Sequence, residues 1–298
     1  MSAMNGVILI HKEKDFTSFD VVAVVRKLTG QKKVGHTGTL DPNATGVLPV
    51  LLGTATKAQD IIPCHDKRYR ADFRFGIATD TLDIWGKVIE QQPSDITEEQ
   101  IEGALGSLRG EIEQLPPMYS AVSVGGKRLY QYAREGKEVE RRPRKVTVYS
   151  LELISFDEAA QSGTLDIYCS NGTYIRTLID DLAHALGTVG VMTDLVRYEA
   201  CGYPLDDCMT LDELRQRIDS SDASFLHSVE SIFMTYDEVV VSDKQAHRFV
   251  NGNPLDIVRT PLRDYAGDKK IFRVKDRQGA FLSLGIIDGD SLKLYKHF

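Results

Sequence analysis

Cysteine pairs are missing from this chain. Cys64, Cys169, Cys201 and Cys208 form no C-x-x-C motif and have no histidine-rich companion. That excludes the common zinc sites and leaves four reduced thiols, the pattern of a cytosolic protein. Long apolar runs are missing too. The first, residues 7–10, is only four residues long, which suits a strand and not the core of a secretion signal. No window approaches the ~20 apolar residues of a membrane span. The expectation is a soluble, cytoplasmic protein with no membrane partner. Internal repeats, low-complexity tracts and nucleotide- or metal-binding motifs are also absent. An excess of positive charge is absent as well: 36 Lys and Arg stand against 43 Asp and Glu, a formal charge of −7. This argues only weakly against a polyanionic partner, because nucleic-acid binding needs a local basic surface and not a basic total.

What is present is ordinary globular material, 298 residues with 42% hydrophobic and 27% charged, enough for one large domain and a smaller one. Residues 18–29 have a helical apolar face (Val21, Val22, Val25, Leu28), with Ser18 as the expected N-cap and Gly30 as the stop. Residues 67–75 alternate, Tyr69, Ala71, Phe73 and Phe75 against Arg68, Arg70, Asp72 and Arg74, and predict a half-buried strand. The polar loop after it carries Asp80 and Asp83, read as turn formers. Thr97 and Gln100 spell a capping box. Residues 146–156 and 163–169 read as adjacent antiparallel strands. Ile175, Leu178, Ile179, Leu182 and Leu186 form the apolar face of a helix that Gly187 ends. Residues 219–231, rich in Ser and Asp, read as a linker. A short helix capped by Ser242 and three strand patterns follow it.

Two features carry chemical information. Residues 35–49 hold three glycines, two prolines and a single carboxylate, Asp41. The composition predicts an ordered loop, and leaves Asp41 as either a turn former or a catalytic carboxylate on a rigid mount. Arg176 lies in the first turn of a helix, where the helix dipole is already positive. It calls for a carboxylate partner, either Asp180 one turn on or a residue distant in sequence. Residues 125–145 hold eight basic and three acidic residues, a local charge of +5, interleaved with Tyr130 and Tyr132. Such a segment is either a solvated face or a track for phosphates.

Gly35-His36-Thr37-Gly38-Thr39-Leu40-Asp41-Pro42, continued by Ala44-Thr45-Gly46-Val47-Leu48-Pro49, resembles the signature of the TruB-type tRNA pseudouridine synthases. Asp66-Lys67-Arg68-Tyr69, Thr79-Asp80-Thr81, Gln114 to Ala121 and Gly172-Thr173-Tyr174-Ile175-Arg176 follow in that family's order. The resemblance runs through about 200 residues. It implies an α+β fold, a mixed and mainly antiparallel sheet flanked by helices over residues 1–230, with a small β-rich, PUA-like RNA-binding domain over 231–298. It implies isomerisation of uridine 55 in the T loop of tRNA, without redox change, energy input or cofactor, by a protein that acts as a monomer on the tRNA T arm.

In that reading Asp41 is the nucleophile at C1′ or the group that assists glycal formation, Arg176 its ion-pair partner, and Tyr69 the face on which the flipped base stacks. His36 helps hold the target nucleotide turned out, Tyr174 shapes the pocket, and Lys67, Lys127 and Arg128 face the RNA. The chain departs from the family pattern at Glu13, Ser123 and Val196, which bears on RNA affinity more than on the reaction. Two alternatives stand beside it: a guide-RNA-dependent synthase acting on ribosomal RNA, and a non-catalytic RNA-binding or RNA-folding protein.

Overall fold

A computed structural model describes residues 4–265 and 267–298. Its main element is a nine-stranded sheet. Seven strands lie side by side in the order Gly6–Lys12, Thr45–Leu52, Gly190–Ala200, Lys67–Phe75, Ser162–Cys169, Arg144–Asp157 and Gly110–Gln114. Val34–His36 pairs with Thr45–Leu52, and Tyr203–Pro204 with Gly190–Ala200. Every pairing is antiparallel except that of Thr45–Leu52 with Gly190–Ala200. The fold class is therefore the mixed, mainly antiparallel one that the family resemblance implies.

Local sequence accounts for most elements. Lys67–Phe75 alternates buried and open residues as its pattern predicts. In helix Ile175–Ala185 the apolar face packs against Phe73, Phe75, Ile101 and Leu105, closing the core between the sheet and helix Glu98–Leu105. Full burial of each such side chain contributes about 1.5–3 kcal/mol. Thr97 and Gln100 form the expected capping box.

Three expectations need correction. The N-cap of helix Ser18–Thr29 is Thr17, which exchanges hydrogen bonds with Asp20 in a capping box. Ser18 sits inside the helix, and its hydroxyl bonds the backbone of Leu40. Residues 35–49 are not all loop: their two ends pair, His36 opposite Val50 and Thr45–Leu52 along Gly6–Lys12, so only residues 37–44 turn. Residues 219–231 are tied down, not a free linker. Phe225 is buried against Ile8 and Ile10, and His227 exchanges two backbone bonds of 2.9 Å with Val7.

Beyond them a five-stranded sheet runs Glu238–Val240, Ile271–Lys275, Phe281–Asp288, Ser291–Lys296 and Leu255–Asp256, with helix Asp243–Val250 packed against it. Phe233 joins the two sheets, lying in one apolar cluster with Val7, Leu9 and Leu51 and with Phe281, Leu284 and Phe298. Among the described residues no helix is long and apolar enough to cross a membrane.

Candidate active site

The turn at 37–44 is held from several directions. Thr37 N–H donates to Pro49 O at 3.2 Å, and Ala44 N–H to Asp41 O at 3.1 Å. The Ser18 hydroxyl accepts from Leu40 N–H at 2.9 Å. Lys12, fully buried, points its ammonium at three carbonyls, Phe16 O at 2.8 Å, Glu13 O at 2.9 Å and Pro42 O at 3.0 Å. The last is the peptide just after Asp41. Arg197, also fully buried, donates to Val47 O, Gly38 O and Thr39 O.

The turn delivers the Asp41 carboxylate to Arg176. Oδ2 lies 2.9 Å from Nε, and Oδ1 accepts from Nη2 at 3.1 Å. This two-pronged geometry is the one a guanidinium is shaped for. The rest of the Arg176 head is equally committed, Nη1 to Thr81 O at 3.0 Å and Nη2 to Tyr119 O at 2.9 Å. Its side chain is 6% exposed, so the helix position that looked unjustified is explained by a carboxylate 135 residues away. Asp180, the local alternative, lies 3.5 Å from His184 instead.

A second carboxylate closes on the same guanidinium. Asp83 Oδ2 is 3.9 Å from Nη1, while Oδ1 accepts from the Thr81 hydroxyl at 2.7 Å and from Trp85 N–H at 3.2 Å. Burial pushes its carboxyl up from the usual range. The residue before it, Leu82, takes a left-handed φ of 62° that aims this loop at the site.

Above the pair lies a cleft of about 220 Å³ lined by Asp41, Lys67, Tyr69, Ser120, Tyr174 and Arg176, among others. Its lining brings a carboxylate, a guanidinium and two aromatic side chains, Tyr69 and Tyr174, to one opening. Tyr69, 6% exposed, forms a wall. Burial drives its phenol up to about 12, so at neutral pH it offers a ring face and an O–H, not a phenolate. Lys67 is anchored to His65 O at 2.6 Å and Asn171 Oδ1 at 3.0 Å, and burial lowers its pKa. Tyr174 is fixed through its main chain: Gln114 Oε1 accepts from Tyr174 N–H at 2.9 Å, and Gln114 Nε2 donates to Tyr174 O at 3.3 Å.

The other three expected site residues stand elsewhere. His36 lies in a strand behind the turn, where burial and the nearby Arg197 charge lower its pKa and keep it neutral. Lys127 and Arg128 form one side of a small hairpin. There Lys127 pairs with Glu135 and lies 4.7 Å from the centre of the Tyr132 ring, while Arg128 donates to Ala121 O.

Sequence reasoning passed over Asp83, Lys12, Gln114 and Arg197 as parts of the site. Asp83 carried a faint signal, a carboxylate flanked by Leu82 and Ile84. Arg197, next to the departure at Val196, carried no signal of its own. Its complete burial rules out a phosphate at that position.

The Lys12 environment has a pH consequence. Burial lowers its ammonium to about 8, against an ordinary 10.5 in the unfolded chain. Between those values the unfolded state holds more protons, so the cost of burying the charge is present below pH 8 and fades as pH rises toward 10.5. Wild type should therefore gain melting temperature relative to Lys12→Met between pH 7.5 and 9.5. A difference that stays constant over that range would refute the shift.

Comparison with solved structures defines the class. A structure of an H/ACA RNP bound to a substrate RNA containing 2′-deoxyuridine superposes with a TM-score of 0.74 at 22% identity, covering 98% of this chain and 84% of that one. A Cbf5-Nop10-Gar1 complex gives the same score, covering 99% and 85%. The fold is that of the pseudouridine synthases.

Sequence models then fix the family. The model for the TruB family pseudouridylate synthase N-terminal domain matches residues 26–175, and that for the tRNA pseudouridylate synthase B C-terminal domain matches 176–241. The chain belongs to the TruB family, whose members are isomerases. It is 40% identical over 292 residues, 98% of each chain, to the tRNA pseudouridine synthase B of Caldanaerobacter subterraneus. It is 44% identical over 256 residues, 84% of this chain and 85% of the relative, to that of Geobacillus thermodenitrificans. The junction of the two models, at residue 176, falls at the start of helix Ile175–Ala185 and inside the main sheet's run, so it does not separate structural units.

Proposed function

We propose that this protein isomerises uridine 55 in the T loop of tRNA to pseudouridine, with Asp41 as the nucleophile. The observation that carries the reading is the Asp41 carboxylate, gripped at 2.9 and 3.1 Å by Arg176 beside an aromatic wall in an open cleft. The N1–C1′ bond breaks as the carboxylate adds to C1′ or as a glycal forms. The freed uracil turns over, and C5 bonds to C1′ as the carboxylate leaves it (or as the glycal regains its proton at C2′); C5 then gives up its proton and N1 gains one. An ionised carboxylate suits the oxocarbenium character of that centre, as in glycosidases. Tyr69 supplies the stacking face that offsets part of the cost of unstacking the base. His36 helps hold the loop with the target nucleotide turned out, and Tyr174 and Lys67 complete the pocket around it.

Residues 1–230 act as the catalytic unit and 231–298 as a PUA-like RNA-binding unit, working as a monomer in the cytoplasm. The C-terminal cleft lined by Lys244, Arg248, Arg259 and Arg277, of about 720 Å³, supports that second role. The hairpin with Lys127 and Arg128 gives the catalytic unit its own basic surface.

Incubation with an unmodified tRNA transcript, followed by mapping of pseudouridine at single-nucleotide resolution, tests the reading. Conversion at position 55 is expected without any guide RNA. Conversion only with a guide, or tight binding with none, would replace it by a guide-dependent or non-catalytic role. Binding should also weaken steeply with salt, by about 10³-fold or more between 50 and 200 mM if six or more phosphates are engaged. A flat response would return the basic hairpin to a solvated face.

A further inference from the structure

Among the described residues Arg197 is the largest side chain with no exposed surface, and it forms no ion pair. A buried cation without a carboxylate is costly unless its donors are fully used. Here three of the five N–H donors go to one target, and the Tyr69 phenol lies beside the same head. Nε donates to Val47 O at 2.8 Å, Nη2 to Gly38 O at 3.2 Å and Nη1 to Thr39 O at 3.3 Å. These carbonyls bracket the Asp41 turn on both sides.

The backbone is fitted to the same end. Gly46 has φ +113°, and a Cβ there would stand 2.1 Å from the carbonyl oxygen of Arg197. The strand leaving the turn therefore lies against the Arg197 main chain while the turn lies against its side chain. A Cβ on Gly38 would stand 3.2 Å from Lys67 Cε and 3.9 Å from Arg197 Nη1. A residue that only filled this space would not need a charge, and the charge has side effects: it contributes to the lowered pKa of Lys12, Lys67 and His36.

We infer that Arg197 is a positioning residue for the reaction, fixing both ends of the turn from beneath so that Asp41 meets C1′ at the right height. Arg176 orients the carboxylate itself; Arg197 sets the backbone that carries it. The inference rests on the proposed role of Asp41. Displacement of a reacting group by about 1 Å can cost ~10²-fold in rate. A lysine at 197 keeps the charge but gathers its donors at one point, so it does not reproduce the planar fork that reaches carbonyls on both sides of the turn.

The test compares wild type, Arg197→Lys and Arg197→Gln in the full chain. The measurements are single-turnover pseudouridine formation on tRNA transcript, tRNA affinity by filter binding, and thermal melting. The expected result is a rate ~10–100-fold lower for R197K and lower still for R197Q, with affinity within about threefold of wild type. An R197K rate within twofold of wild type would overturn the inference. So would a loss of rate matched by an equal loss of affinity, or failure of both variants to fold, which would make Arg197 a folding element only. A wild-type protein that forms no pseudouridine on tRNA would instead overturn the proposed function, and a turnover-competent Asp41→Asn would overturn the nucleophile beneath it.

Discussion

Asp41→Asn should reduce pseudouridine formation by ~10⁴-fold or more, with tRNA affinity held within a few-fold. A carboxamide fills the same space but does not add to C1′, and it carries no charge to set against an oxocarbenium-like centre. The amide also meets Arg176 badly. Both prongs of the guanidinium donate, and an asparagine oxygen accepts only one of them comfortably. The NH₂ is left facing a donor, a mismatch that costs about 1–3 kcal/mol. Melting should therefore fall by a few degrees while the fold persists. Single-turnover assays with melting curves on the same preparation separate the two effects. Retained turnover would remove Asp41 from the chemistry.

Arg176→Lys should lower turnover ~10²–10³-fold although the formal charge is unchanged. The arginine head makes four short contacts at once: two to Asp41, one to Thr81 O and one to Tyr119 O. Those carbonyls belong to two different loops, so the guanidinium joins the turn carrying Asp41 to the segments that frame the cleft. An ammonium gathers three donors at one point and does not reproduce the planar fork that holds all four groups. If the role of Arg176 were only to supply positive charge, R176K would retain most of the activity. A rate near wild type would decide for that simpler view.

Features written in local periodicity were readable in the sequence. The alternation from Lys67 to Phe75 and the apolar face of Ile175–Ala185 specify strand and helix because the responsible residues are neighbours in the chain. The Asp41–Arg176 pair was legible only as an oddity, a cation at a helix start, until the family resemblance supplied its partner. Lys12, Asp83 and Arg197 were illegible for a different reason. Each also acts on a group distant in the chain, Lys12 on Pro42 O, Asp83 on Arg176 and Arg197 on a turn about 150 residues earlier. Nothing local distinguishes such a residue from an exposed one. The error over residues 35–49 has the same origin. Glycine and proline content correctly marked a turn, but the pairing that draws both ends into the sheet is set by Gly6–Lys12 and Thr45–Leu52. Ser18 was misassigned because a serine at a helix start suits a cap, whereas the adjacent threonine caps and frees it to bind Leu40.

The single parallel joint of the main sheet also dictates an order of events. Gly190–Ala200 lies between Thr45–Leu52 and Lys67–Phe75, two strands that are close in sequence yet never pair with each other. A nascent chain that has displayed Asp41 and Tyr69 must keep that gap open until the later strand arrives. At ~5–20 residues per second, the ~150 residues from Gly46 to Arg197 take roughly 8 to 30 seconds to synthesise. Until that strand is made Thr45–Leu52 has one unpaired edge, and Lys67–Phe75 has both unpaired until Ser162–Cys169 follows. In the finished sheet, the strand made last of the three thus both fills the gap and seats the reactive turn.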